Sequence, residues 1–163
     1  MKSRAFTLIE LLVVVLIIGI LAAIALPQYQ VAVAKTKYNT LKTRVHSLLN
    51  AVETYHLANG TWPADMEDLD ISFPGEKEGS RWTLPDGTEC QLWYDANGNG
   101  GAARCGIMSG LSYYVEFQNG STRSYRVVED HSNAKIYMQV CLNDTQNTSP
   151  SSRNDTSIYD YKD

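Results

Sequence analysis

Hydrophobic and polar positions divide the chain into three differently patterned stretches. From Ala5 to Leu26 only Thr7 and Glu10 are polar, and nothing from Leu11 to Leu26 carries a polar side chain. Counting Phe6, Leu8 and Ile9, the apolar stretch of about 21 residues spans roughly 30 Å as a helix, the thickness of a bilayer's hydrocarbon core. Beyond Pro27 the pattern becomes amphipathic. Val31, Ala34, Tyr38, Leu41, Val45, Leu48, Val52 and Tyr55 follow at alternating steps of three and four. They lay one apolar stripe along a helix, with Lys35, Lys37, Lys42, Arg44 and Glu53 off it. Asn59-Gly60 supplies the stop, glycine being suited to the left-handed residue after a helix. The two patterns together predict one helix of about 50 residues with Pro27 inside it, where a missing N–H should kink or locally melt the rod. The stripe fits two partners, a coiled coil or a sheet; Ala34, Tyr38 and Tyr55 make poor coiled-coil seam residues.

The third stretch is shorter in its rhythms. Ala64 to Leu69 reads as a short helix with its acids near the start, as the helix dipole prefers. Leu111 to Phe117 puts Leu111, Tyr113, Val115 and Phe117 on one side of a strand, and Thr122 to Val128 sets Tyr125 and Val127 to face them. Asn119-Gly120 between these runs is the preferred centre of a two-residue type I′ hairpin turn. Glu89 to Tyr94 and Lys135 to Leu142 read as further strands. The expected class is α+β: a long N-terminal helix packed on an antiparallel sheet of about four strands. Asn143 to Asp155 is Ser, Thr, Asn, Asp and Pro without periodicity and reads as a surface loop or tail. Asp160-Tyr161-Lys162-Asp163 also resembles the start of an epitope tag.

Charge divides the chain as well. Residues 1 to 50 hold six Lys/Arg against Glu10 alone, whereas residues 51 to 163 carry a net −9. An acidic outer portion argues by bulk charge against nucleic acid as a partner, without excluding a local basic patch. Of the three cysteines, Cys90 and Cys105 flank Asn97-Gly98; a two-residue turn there sets them opposite each other, a register suited to a disulfide in an exported domain. Cys141 reads as a buried thiol, or as a substitute partner for either. Asp95, Asn97 and Asn99 reproduce the opening of a calcium loop, but the twelfth position is Gly106 where a carboxylate is needed, so a plain turn is favoured. His46, His56 and His131 are scattered, and no nucleophile with its base, phosphate-cradling glycine loop or paired carboxylates can be placed, so no catalytic residue or cofactor is assigned.

The apolar block has two readings, a transmembrane helix or a cleaved secretory signal for which Ala22, Ala23 and Ala25 imitate the cleavage site. Glu10 within the run and the continuation of the helix past Pro27 favour the first. Lys2 and Arg4 keep the N-terminus on the cytoplasmic side. A carboxylate in a membrane helix costs on the order of 3 kcal/mol at the centre and usually has a partner and a function.

The run Arg4-Ala5-Phe6-Thr7-Leu8-Ile9-Glu10-Leu11-Leu12-Val13-Val14 resembles the class III signal of type IV pilins and of the related pseudopilins of type II secretion systems. The resemblance is specific over residues 2 to about 30 and weaker over Tyr55 to Pro63. It implies the type IV pilin fold and a structural subunit, not an enzyme, built into an extracellular type IV pilus; a type II pseudopilin is the first alternative and a membrane-anchored enzyme or ligand-binding domain the second. It implies that a prepilin peptidase cuts between Ala5 and Phe6 and methylates Phe6, with Ala5 standing where the family usually has glycine. It further implies that Glu10 faces the N-terminal ammonium of a neighbouring subunit and that Pro27 matches a helix-breaking proline. Some pseudopilins bind calcium in a head loop, which keeps the Asp95 loop open as a site. The implied partners are other copies of the chain and related pilins, the peptidase, an inner-membrane assembly platform and, before assembly, the membrane. The expected organisation is a leader over residues 1–5, a membrane and filament-core helix over 6–27, an amphipathic helix over 28–59, a head over 60–142 and a polar tail over 143–163.

Overall fold

The computed structural model describes residues 6–94, 100–107, 110–118, 121–129, 134–146, 151–153 and 156–160. A single 52-residue helix, α1 (Leu8–Asn59), opens the chain and at 1.5 Å per residue is about 78 Å long. It remains helical through Pro27, so the local melting expected there is not seen in the isolated chain. Proline removes one backbone donor from the ladder, and the turns on either side carry the helix across that gap. The C-terminal stop is as expected: Gly60 takes φ +71° and its N–H donates to the His56 carbonyl at 2.8 Å. Trp62 then stacks flat on the His56 ring, centroids 3.9 Å apart, fixing where the chain leaves the helix.

Ala34, Tyr38, Leu41, Val45, Leu48, Leu49 and Val52 are the buried residues of α1, with Val31 and Tyr55 half-buried at the ends of the same stripe. Their partner is a sheet, which decides against the coiled coil. The strands are β1 (Glu76–Glu78), β2 (Arg81–Thr83), β3 (Thr88–Tyr94), β4 (Gly100–Ile107), β5 (Leu111–Gln118), β6 (Ser121–Glu129), β7 (Ser151–Arg153) and β8 (Thr156–Asp160). They form one antiparallel sheet in the order β1-β2-β3-β4-β5-β6-β8-β7. Eight strands replace the expected four because three-residue ribbons such as β1 and β7 are too short to show a period.

The β5–β6 register pairs Gln118 with Ser121, which centres the hairpin on residues 119 and 120; these two lie outside the described residues. Ala64 to Leu69 supplies only one 3-10 turn, Met66–Asp68, capped by Asp65. Lys77 from β1 clamps it through Asp65 at 2.7 Å and Glu67 at 3.0 Å.

The expected strand over Lys135 to Leu142 is instead a helix, α2 (Ala134–Thr145), which also takes up the first residues of the stretch read as a tail. Ile136, Met138, Val140 and Leu142 alternate as in a strand, yet Tyr137, Val140 and Cys141 satisfy helical spacing and are the residues buried. Tertiary contact decides between the two periods: α2 packs against α1, where the Tyr38 hydroxyl donates to Asp144 Oδ2 at 3.0 Å and Lys42 pairs with the same oxygen at 3.3 Å. The remainder of the stretch contributes β7, which pairs with β8.

A second polar tie holds the helix to the turn between β2 and β3. Arg44 donates from Nη2 to Asp86 Oδ2 at 2.7 Å and from Nη1 to Thr88 Oγ1 at 2.6 Å, while the Thr88 N–H donates to Asp86 Oδ1 at 3.1 Å. The guanidinium beside it holds the Asp86 carboxyl down at about 2. An unfolded aspartate titrates near 3.9, so the native state binds fewer protons, and the stabilisation is complete above about pH 5 and lost as pH falls through about 2. Asp86 is half exposed, so water screens the pair to about 1 kcal/mol or less. Asp86→Asn should lower the melting temperature by a few degrees at pH 7, and the gap to the parent should close in melts run toward pH 2.

Candidate functional site

Residues 8 to 26 are left uncovered by the rest of the described chain. The large apolar side chains from Phe6 to Leu26 are 45–83% exposed. Alone among the described helices, α1 is long and apolar enough to cross a membrane, and its most apolar window is 0% buried. A bare apolar surface of this length needs lipid or other helices around it.

Polar chemistry in this segment is confined to its start. Thr7, in extended conformation (φ −82°, ψ 150°), caps α1. Its N–H donates to Glu10 Oε2 at 2.8 Å, its hydroxyl donates to the same oxygen at 2.6 Å, and the Glu10 N–H donates to Thr7 Oγ1 at 3.4 Å. This is a reciprocal capping box, which satisfies two donors that a helix start leaves orphaned. Thr7 is the residue that sequence reasoning passed over, although the signal is plain in Thr7-Leu8-Ile9-Glu10, a Thr-x-x-Glu ahead of an apolar run. Glu10 binds Thr7 through Oε2 alone, and its negative charge sits at the positive end of the helix dipole.

Phe6, immediately before the cap, is 80% exposed. Ala5 lies outside the described residues, so the geometry around the expected cut is described on one side only. Pro27 lies inside α1, between the exposed half of the helix and the half covered by the head. Cys90 and Cys105 are directly paired across β3 and β4 and form a disulfide, with Cα atoms 4.1 Å apart. Cys141, outside this disulfide, is buried on α2. Asp95, Asn97 and Asn99 lie outside the described residues. Among the described residues no cluster of His, Cys, Asp or Glu is placed to hold a metal. The described histidines instead make ring contacts, His46 with Tyr113 and His56 with Trp62.

Residues 1–26 match the family model described as the prokaryotic N-terminal methylation motif. The chain is 48% identical over 63 residues to the fimbrial protein EcpC of Eikenella corrodens, a match covering 39% of this chain and 41% of that one. It is 44% identical over 77 residues to a type IV major pilin protein PilE of Neisseria gonorrhoeae, covering 47% and 46%. By its N-terminal half the chain is similar to type IV pilins. Another fimbrial protein of Eikenella corrodens, EcpB, is 46% identical over 80 residues, covering 49% of this chain and 47% of that one. The matched segment thus spans less than half the length of each of these relatives, and no solved structure matches the chain significantly. The long apolar helix and antiparallel head are the α+β architecture of the pilin fold.

Proposed function

We propose that the chain is the precursor of a structural subunit that is cut between Ala5 and Phe6, methylated on the new Phe6 amine, and polymerised into an extracellular type IV pilus. One observation carries this reading: the sole charge in a bare apolar helix is Glu10, placed one turn from the proposed cut. Cleavage at Phe6 leaves an ammonium beside the positive end of a helix, where it is poorly tolerated alone. A neighbouring Glu10 supplies the counter-charge, and opposite charges about 4 Å apart gain roughly 4 kcal/mol at an effective dielectric of 20. That offsets most of the cost of a carboxylate in an apolar bundle.

Before assembly the exposed half of α1 sits in the inner membrane, its N-terminus toward the cytoplasm and the prepilin peptidase. An inner-membrane platform then moves it into a helical bundle of identical helices, with the heads outside. The curated relatives carry names of fimbrial proteins and major pilins, which favours the pilus over a secretion pseudopilus. Electron microscopy of the fraction sheared from cells tests this: an antibody to the head should label filaments along their length. Retention of the chain in the cell envelope, with unlabelled filaments, supports the pseudopilin instead.

A further inference from the structure

The two faces of the sheet have different coverings. One is packed by α1 and α2, whose buried residues share a core with Cys90, Leu92, Ala103, Cys105, Tyr113 and Val115. Strand alternation then places Gln91, Trp93, Ala102, Arg104, Ser112 and Tyr114 on the other face, over which no helix is packed among the described residues. On that face the Trp93 ring stands edge to face with Tyr114, centroids 5.6 Å apart and planes at 74°. Arg104 Cζ lies 5.2 Å from the Tyr114 ring centroid, and its Nη2 donates to Ser112 Oγ at 3.0 Å. Ala102, the residue paired with Trp93 on β4, is a small neighbour directly across the ladder from the indole. Trp93 remains 37% exposed. Gln91, in the adjoining row, donates from Nε2 to Ser80 at 2.9 Å and keeps its carbonyl oxygen as an acceptor.

We propose that this aromatic platform binds a neutral hexopyranose, the sugar's C–H face stacking on Trp93 and its hydroxyl rim meeting Gln91 and Arg104. A pyranose joins a flat apolar face to an equatorial ring of donors and acceptors, and the platform offers the complement: a braced indole with an electron-rich face beside an amide and a guanidinium fixed by their own hydrogen bonds. Charge selects against a polyanion, because residues 51–163 carry a net −9 and Glu116 shares the face. Area over β3 to β5 selects against a protein partner: among the strand residues whose exposure is described, Trp93 is the one large hydrophobic that is exposed, whereas a stable protein interface needs about 800 Å² per side. The platform belongs to the single subunit, so its test is independent of filament formation.

The full chain in a non-glycosidic detergent is titrated with lactose and with diacetylchitobiose, following indole fluorescence and equilibrium dialysis. Saturable binding of at least one sugar is expected, weakened tenfold or more by Trp93→Ala, within a few fold of the parent in Trp93→Phe, and reduced several fold by Gln91→Ala, which leaves the indole in place. Thermal melts establish that each variant is folded; should Trp93→Ala fail to fold, Gln91→Ala and Trp93→Phe carry the test. Absence of saturation by both sugars up to ~0.1 M, affinity unchanged in both Trp93→Ala and Gln91→Ala, or binding of oligothymidylate but of neither sugar overturns the proposal.

Discussion

Glu10→Leu or Glu10→Ala is expected to leave the chain processed and lodged in the membrane while filament yield falls by about tenfold or more. Loss of roughly 4 kcal/mol of charge pairing exceeds the 1.4 kcal/mol that a tenfold change in an equilibrium requires. Glu10 also belongs to the capping box with Thr7, so the variant removes two interactions, and their sizes separate them. A lost cap costs about 1 kcal/mol and acts on the first turn of the helix within one subunit. Thr7→Ala, which removes the cap and leaves the charge, should therefore lower yield only modestly. Glu10→Gln keeps an oxygen for Thr7 and removes the charge, and should assemble about as poorly as Glu10→Leu. Quantifying sheared filaments against total membrane-resident chain gives the comparison. Normal filaments from Glu10→Gln would show that the cap, and not the charge, is what Glu10 contributes.

The second large effect is expected at the disulfide. Cys90 and Cys105 are fully buried, and their bond closes a loop with a sequence separation of 15. Holding such a loop closed in the unfolded chain is worth about 3 kcal/mol in the chain-entropy account. For a head of about 100 residues the double variant Cys90→Ala, Cys105→Ala should melt roughly 10–20 °C lower. Cys141→Ala, which removes one buried thiol and no cross-link, should cost much less. Alkylation of the denatured parent without reductant should modify Cys141 alone, and reaction of all three thiols would contradict the pairing.

What the sequence made legible follows from how far apart the deciding contacts lie. The stripe from Val31 to Tyr55 was readable because helical periodicity is local and repeats many times, and the residues it named are those α1 buries. The cysteine register was readable because a hairpin centred on Asn97-Gly98 fixes every pair around it, and Cys90 does lie opposite Cys105. Over Ile136 to Leu142 both periods fit, and only Tyr38 and Lys42, about a hundred residues earlier, settle the segment as helix through Asp144. Strands β7 and β8 escaped notice for a related reason. Ser151–Arg153 has no apolar alternation of its own and becomes a strand by pairing with β8, which itself pairs with β6. At the N-terminus, Glu10 stands out as a lone charge in an apolar run, whereas its link to Thr7 is a quieter local signal, the Thr-x-x-Glu spacing of a capping box.

The most direct measurement is mass spectrometry of the N-terminal peptide released from sheared, purified filaments. The peptide should begin at Phe6, with one methyl group on its α-amine and Met1 to Ala5 absent. Filaments whose subunits retain Met1 to Ala5, or that start after Ala22, Ala23 or Ala25 as a cleaved secretory signal would, would contradict the account of α1 as both membrane anchor and filament core.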